Sequence, residues 1–496
     1  MRSPPASRPS GSRGTTAPPD RGQSEGDPVT SDLTRATAAE LAALYRKGKA
    51  SPVEALKAIL ARAETVNPRL NALCLIDAEP ALKAATASEK RWKKGETLSA
   101  IDGVPVSIKE LVRVKGWPTL MGSKAVDPHQ PWTEDAPAVQ RLREAGAVIF
   151  AQSTSPEYGH KGVTESPLRG VTRNPWDLER TSGGSSGGAG AAVVAGLGPL
   201  AIGTDGGGSI RLPASFCGIV GHKPTFGRVA AWPPSVNGDL ANTGPMTRTV
   251  EDCALMMNVI ARPDMRDPTS LPADDVDYVK KLDGKVKKLK VGLVLKFGDH
   301  HLDPEVGALV AKAARTFEKL GCEVEEATPD LGGVDGRKIF GIHWLCFVQR
   351  VLQMFPPEKH ALLDPTLLAM ARDGAKYSSA DLVAAMADRR TLSLGWNRFL
   401  AAYDLLLCPT LAVPAFDVGR MAPALADGTP NTQWSPYTHH FNLSRHPSAS
   451  VPCGLTKSGL PVGLMITAGH YRDALVLRAA HHYQAAAPLK TPALPA

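Results

Sequence analysis

The stretch at 181–213, TSGGSSGGAGAAVVAGLGPLAIGTDGGGSIRLP, decides how this chain is read. No charged residue stands between Arg180 and Asp205, and both ends of the stretch are dense in glycine and serine. Glycine clusters let the backbone adopt φ > 0 and bring its N–H groups close to a ligand. Two such clusters, each carrying a serine, describe a site made of backbone donors and hydroxyls. Acyl transfer asks for that combination: a nucleophile, a proton route and donors for a developing oxyanion. The uncharged length raises the question of a membrane span, but its glycines, its serines and Pro199 argue against a spanning helix.

A base is sought upstream. Residues 103–110, GVPVSIKE, read as a strand with Val104, Val106 and Ile108 on one face and Ser107 and Lys109 on the other. A lysine turned inward from a buried strand loses solvation and its pKa falls. The neutral amine is then a competent general base. Taken singly, a strand-end lysine more often reaches water.

Together, Lys109, GGSSGG at 183–188 and TDGGGSIR at 204–211 resemble the amidase signature family of Ser–Ser–Lys hydrolases. Ser185 and Ser209 stand 24 positions apart (209 − 185), as that family's bridging serine and nucleophile do. The likeness runs from about Leu33 to the C-terminus and takes in NPW at 174–176, GHKPTFGR at 221–228, CPTLAVPAF at 408–416, SASVPCG at 448–454 and GLPVGLMI at 459–466.

The resemblance implies an α/β/α sandwich around a twisted mixed β-sheet, built as a single large domain. It implies that Ser209 attacks an amide carbonyl while the N–H groups of Gly206, Gly207, Gly208 and Ser209 receive the oxyanion. Ser185, joined to Gly184 by a cis peptide, would relay a proton between Lys109 and the nucleophile. Ser186 would support the site, and Asp205 and Arg211 would pair and brace its loop. The expected substrate is a small-molecule amide, an aryl or alkyl amide, anilide or carbamate, with its apolar group against Tyr158, Trp232 and Trp344. Neither a metal nor an organic cofactor is expected, and a homodimer is a compatible assembly.

Two rival readings are weighed. One branch of the family is the amidase component of a tRNA-dependent amidotransferase. It usually reads TDTGGSIRQPA and follows GRV with SRYG, whereas this chain has TDGGGSIRLP and GRVAAWPPS, closer to the free-standing amidases. Glu110, His222 and SRHP at 444–447 also depart from frequent family residues, which bears on substrate choice more than on reaction type. The second rival is a serine esterase of α/β-hydrolase type, since G-x-S-x-G fits frames centred on Ser185 or Ser186. That elbow needs a strand immediately before it, and 174–181 reads as a turn.

Other motifs fall away. Gly196-x-Gly198-x-x-Ala201 mimics a dinucleotide loop but contains Pro199 and lacks the acidic residue ~20 positions on. The His-His pairs at 300–301, 439–440 and 481–482 lack an H-E-x-x-H helix, so they read as surface or core histidines. Cys217 reads as a packing thiol.

Composition narrows the class further. The chain has 496 residues, 43% of them hydrophobic, which suits a globular core. Its 57 basic and 49 acidic residues leave +8 without a block of like charge, so no nucleic-acid partner is expected. KVKKLK at 285–290 reads as the solvated start of a strand. The seven cysteines are scattered, odd in number and never in a C-x-x-C pair, which points to a reducing, cytoplasmic setting. The N-terminus carries no apolar secretory h-region.

Residues 1–30 are Pro, Ser, Gly and Arg-rich and are expected to form a disordered tail ahead of one domain at 31–496. Within it we expect N-terminal helices at 31–100, a signature core at 101–262, a peripheral insertion at about 263–400 and a return to the core at 401–490. Capping boxes at Thr37–Glu40 and Ser51–Glu54 open the first helices, the second ending near Val66, and a third spans roughly 78–94. Strands are expected at 147–152, 291–295, 322–327 and 404–411. A helix opened by Asp303-Pro304 should carry Val306, Leu309, Val310, Ala313, Phe317 and Leu320 on one face. Residues 330–400 read as helical apart from a Pro- and Gly-rich break at 356–374.

Overall fold

The first helices start where side chains can satisfy their leading amides. At the helix Ala38–Arg46 the Glu40 N–H donates to Thr37 Oγ1 at 3.1 Å, while the Glu40 carboxylate accepts the Thr37 N–H at 2.8 Å. Ser51 and Glu54 repeat the exchange at the helix Pro52–Leu70. This second helix runs a turn beyond Val66, because Leu70 is buried and holds the added turn against the core. Asn71, at φ 52°, then stops it. These elements belong to a computed structural model that describes residues 32–425 and 427–489. The expected tail at 1–30 lies outside the described residues.

Fifteen strands follow in chain order among the described residues. They are β1 (Leu73–Ile76), β2 (Pro105–Lys109), β3 (Val148–Ser153), β4 (Glu165–Ser166), β5 (Gly170–Val171), β6 (Arg173–Asn174), β7 (Asp177–Thr181) and β8 (Leu200–Asp205). After them come β9 (Val220–Lys223), β10 (Asn242–Thr247), β11 (Lys290–Leu293), β12 (Glu323–Glu326), β13 (Leu405–Pro409), β14 (Ser448–Leu455) and β15 (Pro461–Ala468). Eleven of these form one sheet in the order β1-β3-β2-β8-β10-β9-β14-β15-β13-β11-β12.

The sheet is mixed. β3, β2 and β8 run parallel, β8 through β13 alternate antiparallel, and β13, β11 and β12 are parallel again. Every residue of β2, β3, β13 and β15 is buried. Strands buried on both faces need helices on both sides, which explains their continuous apolar runs. The edge strand β12 instead exposes Glu323, Glu325 and Glu326, charges that discourage pairing with another chain. The described residues from Leu33 onward cluster as one compact unit. Among them no helix is long and apolar enough to cross a membrane.

The helix Gly187–Val194 (GGAGAAVV) is apolar all round, and all of its residues are buried. It packs against β8, β2, β3 and the equally buried helix Arg211–Cys217. A helix without a polar face belongs inside, and here the two buried helices carry the serine clusters at their N-terminal ends.

Two expectations are corrected. The segment 174–181 is not a turn: β6 and β7 pair antiparallel as a ribbon outside the main sheet, and the Asn174 amide donates to the carbonyls of Thr181 and Phe216. The break at 356–374 is helical instead. Pro357 opens a 3-10 helix at Pro357–Leu362, and Pro365 opens the α-helix Pro365–Gly374, capped by Asp364. A proline in the first turn gives up an N–H that had no helical partner anyway, so it starts helices as readily as it ends them.

Candidate active site

The parallel run β3-β2-β8 sets the location of the site. Lys109 ends β2, and Thr204 and Asp205 end its neighbour β8, so their side chains gather at the same carboxyl edge. Lys109 is fully buried. Its Nζ lies 2.7 Å from Ser185 Oγ, 2.8 Å from Ser186 Oγ and 2.9 Å from Thr204 Oγ1. Burial pushes the amine well below the ordinary lysine pKa, against the pull of the Asp205 and Glu110 charges. Glu110 is itself held by Arg169 at 2.9 Å and by the Ser155 N–H at 3.1 Å.

The three hydroxyls around Nζ are not equivalent. Ser186 Oγ donates to the Thr204 carbonyl at 3.1 Å, so its proton is committed and it faces Lys109 as an acceptor. A neutral amine has two N–H donors and one lone pair, and that lone pair is left for Ser185 or Thr204. Ser185 and Thr204 both border the open cavity, and Ser185 is the nearer of the two to the amine, at 2.7 Å against 2.9 Å.

Ser185 is reached through a cis Gly184–Ser185 peptide. At Gly184 a Cβ would lie 2.7 Å from the Val163 backbone, so only glycine fits. The second cluster is tied to the first by the Ser186 N–H, which donates to the Ser209 carbonyl at 3.1 Å. Ser185 and Ser209 border one cavity, yet no direct hydrogen bond joins their hydroxyls among the described residues.

Asp205 organises the loop that carries Ser209. Its buried carboxylate accepts the N–H groups of Gly208 (2.7 Å) and Ile210 (3.1 Å), Nε and Nη2 of Arg211 (3.0 and 2.9 Å), and the Asn442 amide (2.9 Å). Burial alone would raise its pKa. The Arg211 guanidinium and the Asn442 amide outweigh that and bring it down to about 2. This engagement corrects one expectation: the Gly208 N–H is turned to Asp205 and is not free to meet an oxyanion. Gly208 sits at φ 133°, where a Cβ would strike Leu212 and Thr438. The amides of Gly206, Gly207 and Ser209 make no hydrogen bond among the described residues.

Arg211 also reaches Ser448 Oγ at 3.0 Å and Asn442 Oδ1 at 2.7 Å, and Thr438 Oγ1 donates to the Gly207 carbonyl at 2.7 Å. The sequence reading missed Thr204, Asn442, Thr438 and Ser448. Thr204 and Ser448 stood inside quoted motifs, whereas Thr438 and Asn442 lie more than 200 positions downstream and carry no local signal.

The cavity holds about 380 Å³, and Tyr158, Trp232 and Trp344 line it together with Ser185, Gly206 and Ser209. Tyr158 and Met121, which both border it, have φ of 51° and 55°. Such conformations persist where surrounding contacts over-determine them, and they gather at sites of function. The Tyr158 N–H donates to the Met121 carbonyl at 2.7 Å, locking the two together. His222 lies elsewhere, buried against Asp473 at 3.3 Å, and Cys217 is a buried thiol whose pKa burial raises. No group of three or more His, Cys, Asp or Glu side chains among the described residues could hold a metal ion.

The profile of the Amidase family matches residues 54–477. The chain belongs to the amidase signature family. As an amidase signature enzyme it is a hydrolase of amide C–N bonds. An acylamidase of Rhodococcus erythropolis is 38% identical to it over 91% of this chain and 95% of that protein. A glutamyl-tRNA(Gln) amidotransferase subunit from Myxococcus xanthus is 37% identical over 91% of this chain and 97% of its own length. Among solved structures, a bacterial aryl acylamidase of the amidase signature family superposes with a TM-score of 0.85 at 32% identity, covering 92% of this chain and 96% of that one.

Proposed function

We propose that this amidase signature enzyme is a free-standing amidase that cleaves small aryl or alkyl amides and anilides through Lys109, Ser185 and Ser209. The observation that carries the reading is the buried Lys109 amine, ringed by hydroxyls with Ser185 at 2.7 Å, beside the cavity that Ser209 borders.

Ser209 Oγ attacks the amide carbonyl carbon. Its proton passes to Ser185 Oγ as the Ser185 proton passes to Lys109 Nζ. The oxyanion is received by the N–H groups of Gly206, Gly207 and Ser209. Collapse breaks the C–N bond, and the proton returns from Lys109 through Ser185 to the leaving nitrogen. Water then adds to the acyl-enzyme by the same relay, and the carboxylic acid is released. The reading requires the Ser209 hydroxyl to turn onto Ser185 as substrate seats, a tightening common to nucleophile–base pairs. The aromatic walls at Tyr158, Trp232 and Trp344 favour an apolar group on the substrate. Seven free cysteines suit a cytoplasmic setting.

Labelling tests the assignment. A fluorophosphonate is expected to modify the peptide containing Ser209, and adduct on the Ser185 peptide would reverse the two roles. The isolated chain should turn over an anilide unaided; turnover only beside partner chains would favour the transamidation role.

The pH profile tests the base. Only the uncharged amine accepts a proton, so kcat/KM should climb as pH rises through the Lys109 pKa. Because burial lowers that pKa, the plateau should begin well below the pH at which a free lysine titrates. A rise centred at the ordinary lysine value would remove Lys109 from the role.

A further inference from the structure

Arg113 stands on the loop that follows β2 and borders the same cavity as Ser185 and Ser209. Its carbonyl accepts the Ala136 N–H at 3.0 Å, which anchors the backbone. Its guanidinium lies 5.4 Å from the centre of the Trp232 ring, and that of Arg266 lies 5.2 Å from the same ring. The two cations are provided for very differently. Arg266 bonds the Asp264 carboxylate at 2.8 Å, Gln140 Oε1 at 2.8 Å and the Asp135 carbonyl at 3.1 Å. The Arg113 guanidinium has no carboxylate and no hydrogen-bond acceptor among the described residues, and its Nε is buried without a partner.

The rest of the cavity sharpens the contrast. Its lining holds one other ionised side chain, Asp205, which is already committed to Arg211. The site that positions the nucleophile therefore carries one uncompensated positive charge against a largely apolar wall. The Nη groups are the donors left open, and a substrate that supplies an acceptor there gains a charge-assisted hydrogen bond. A carboxylate answers a guanidinium with two parallel N–H···O bonds. The attraction of the cation to the Trp232 ring, 5.4 Å from its centre, helps hold the guanidinium beside the cavity in advance.

We propose that the preferred substrate is an amide bearing a carboxylate and that Arg113 receives this group. The inference rests on the reading of the cavity as the amidase site, and it names the class of amide that the site selects. A neutral amide of the same shape fills the apolar walls but leaves the Arg113 donors unanswered.

Isosteric pairs test this without turnover. In the full chain carrying Ser209→Ala, calorimetry compares 4-acetamidobenzoate with 4-acetamidobenzamide, and succinanilic acid with its primary amide. The first pair places the carboxylate on the amine side and the second on the acyl side. One acid is expected to bind about 10- to 100-fold more tightly than its neutral partner. Adding Arg113→Gln should bring that ratio to about one. Each ratio is taken within a single protein, so any general loss of binding in the variant cancels. The inference is overturned if neither pair differs by more than about threefold, or if the preference survives Arg113→Gln. Fluorophosphonate mapping on the unsubstituted chain separates the two layers. A charge preference without Ser209 adduct sinks the nucleophile assignment alone, and adduct without preference sinks the role of Arg113 alone.

Discussion

Ser209→Ala and Lys109→Met each lower kcat/KM for an anilide by roughly 10³- to 10⁶-fold, and the double variant is little worse than either. The non-additivity is the informative part. A nucleophile without its proton route and a proton route without its nucleophile fail alike, so the second removal has little left to take away. Methionine is the apt replacement for Lys109, because it preserves the length of a side chain packed at the end of β2 while removing the basic nitrogen. It also leaves Ser185, Ser186 and Thr204 one partner short, which costs stability on the order of 1–3 kcal/mol, so activity is read well below the variant's melting range. Lys109→Met retaining activity within tenfold of the native chain would return the site to a histidine-based esterase reading. Stopped-flow and steady-state assays on the same anilide settle the point.

Arg211→Met is the second large effect. Arg211 and Asp205 are both fully buried and joined at 2.9 Å. Removing the cation leaves the carboxylate with amide donors alone, and breaking one side of a buried pair costs about 3–5 kcal/mol. The pH dependence has a definite sign. Asp205 titrates at about 2 in the folded chain, below the ordinary aspartate value, so the pair's contribution is complete above that ordinary value and is lost as pH falls towards about 2. In Arg211→Met the carboxyl loses its main ionic partner and its pKa rises. The stability gap between variant and native chain is therefore widest near neutral pH and narrows on acidification. Urea unfolding at pH 7 and pH 4 measures it. A gap below about 1 kcal/mol at pH 7, or one that does not change with pH, would mean that this pair does not brace the nucleophile loop.

Residue order was enough to reveal the local elements and the groups from which the candidate site is assembled. Capping boxes at Thr37 and Ser51 declared their helices because the signal lies within four residues. The alternation of apolar residues placed Lys109 on a buried strand, and the glycine and serine clusters declared loops of hydroxyls and amides. Glycines at 184 and 208 are legible for the same reason: a position that cannot accept a Cβ leaves a mark in the chain itself.

How those groups are employed emerged only with the folded chain. Whether Gly208 offers its N–H to an oxyanion or to Asp205 depends on where a carboxylate points, and no motif encodes that. Asn442, Thr438 and Ser448 enter the site from far downstream because the return of β14 to the sheet beside β9 brings them there. The partners of Arg113 and Arg266 were equally invisible. Two arginines read alike in a sequence, and only the packing around Trp232 leaves one of them neutralised and the other open to the cavity. Local geometry is written in neighbouring residues, whereas the pairing of charges is a property of distances that arise only when the chain has folded.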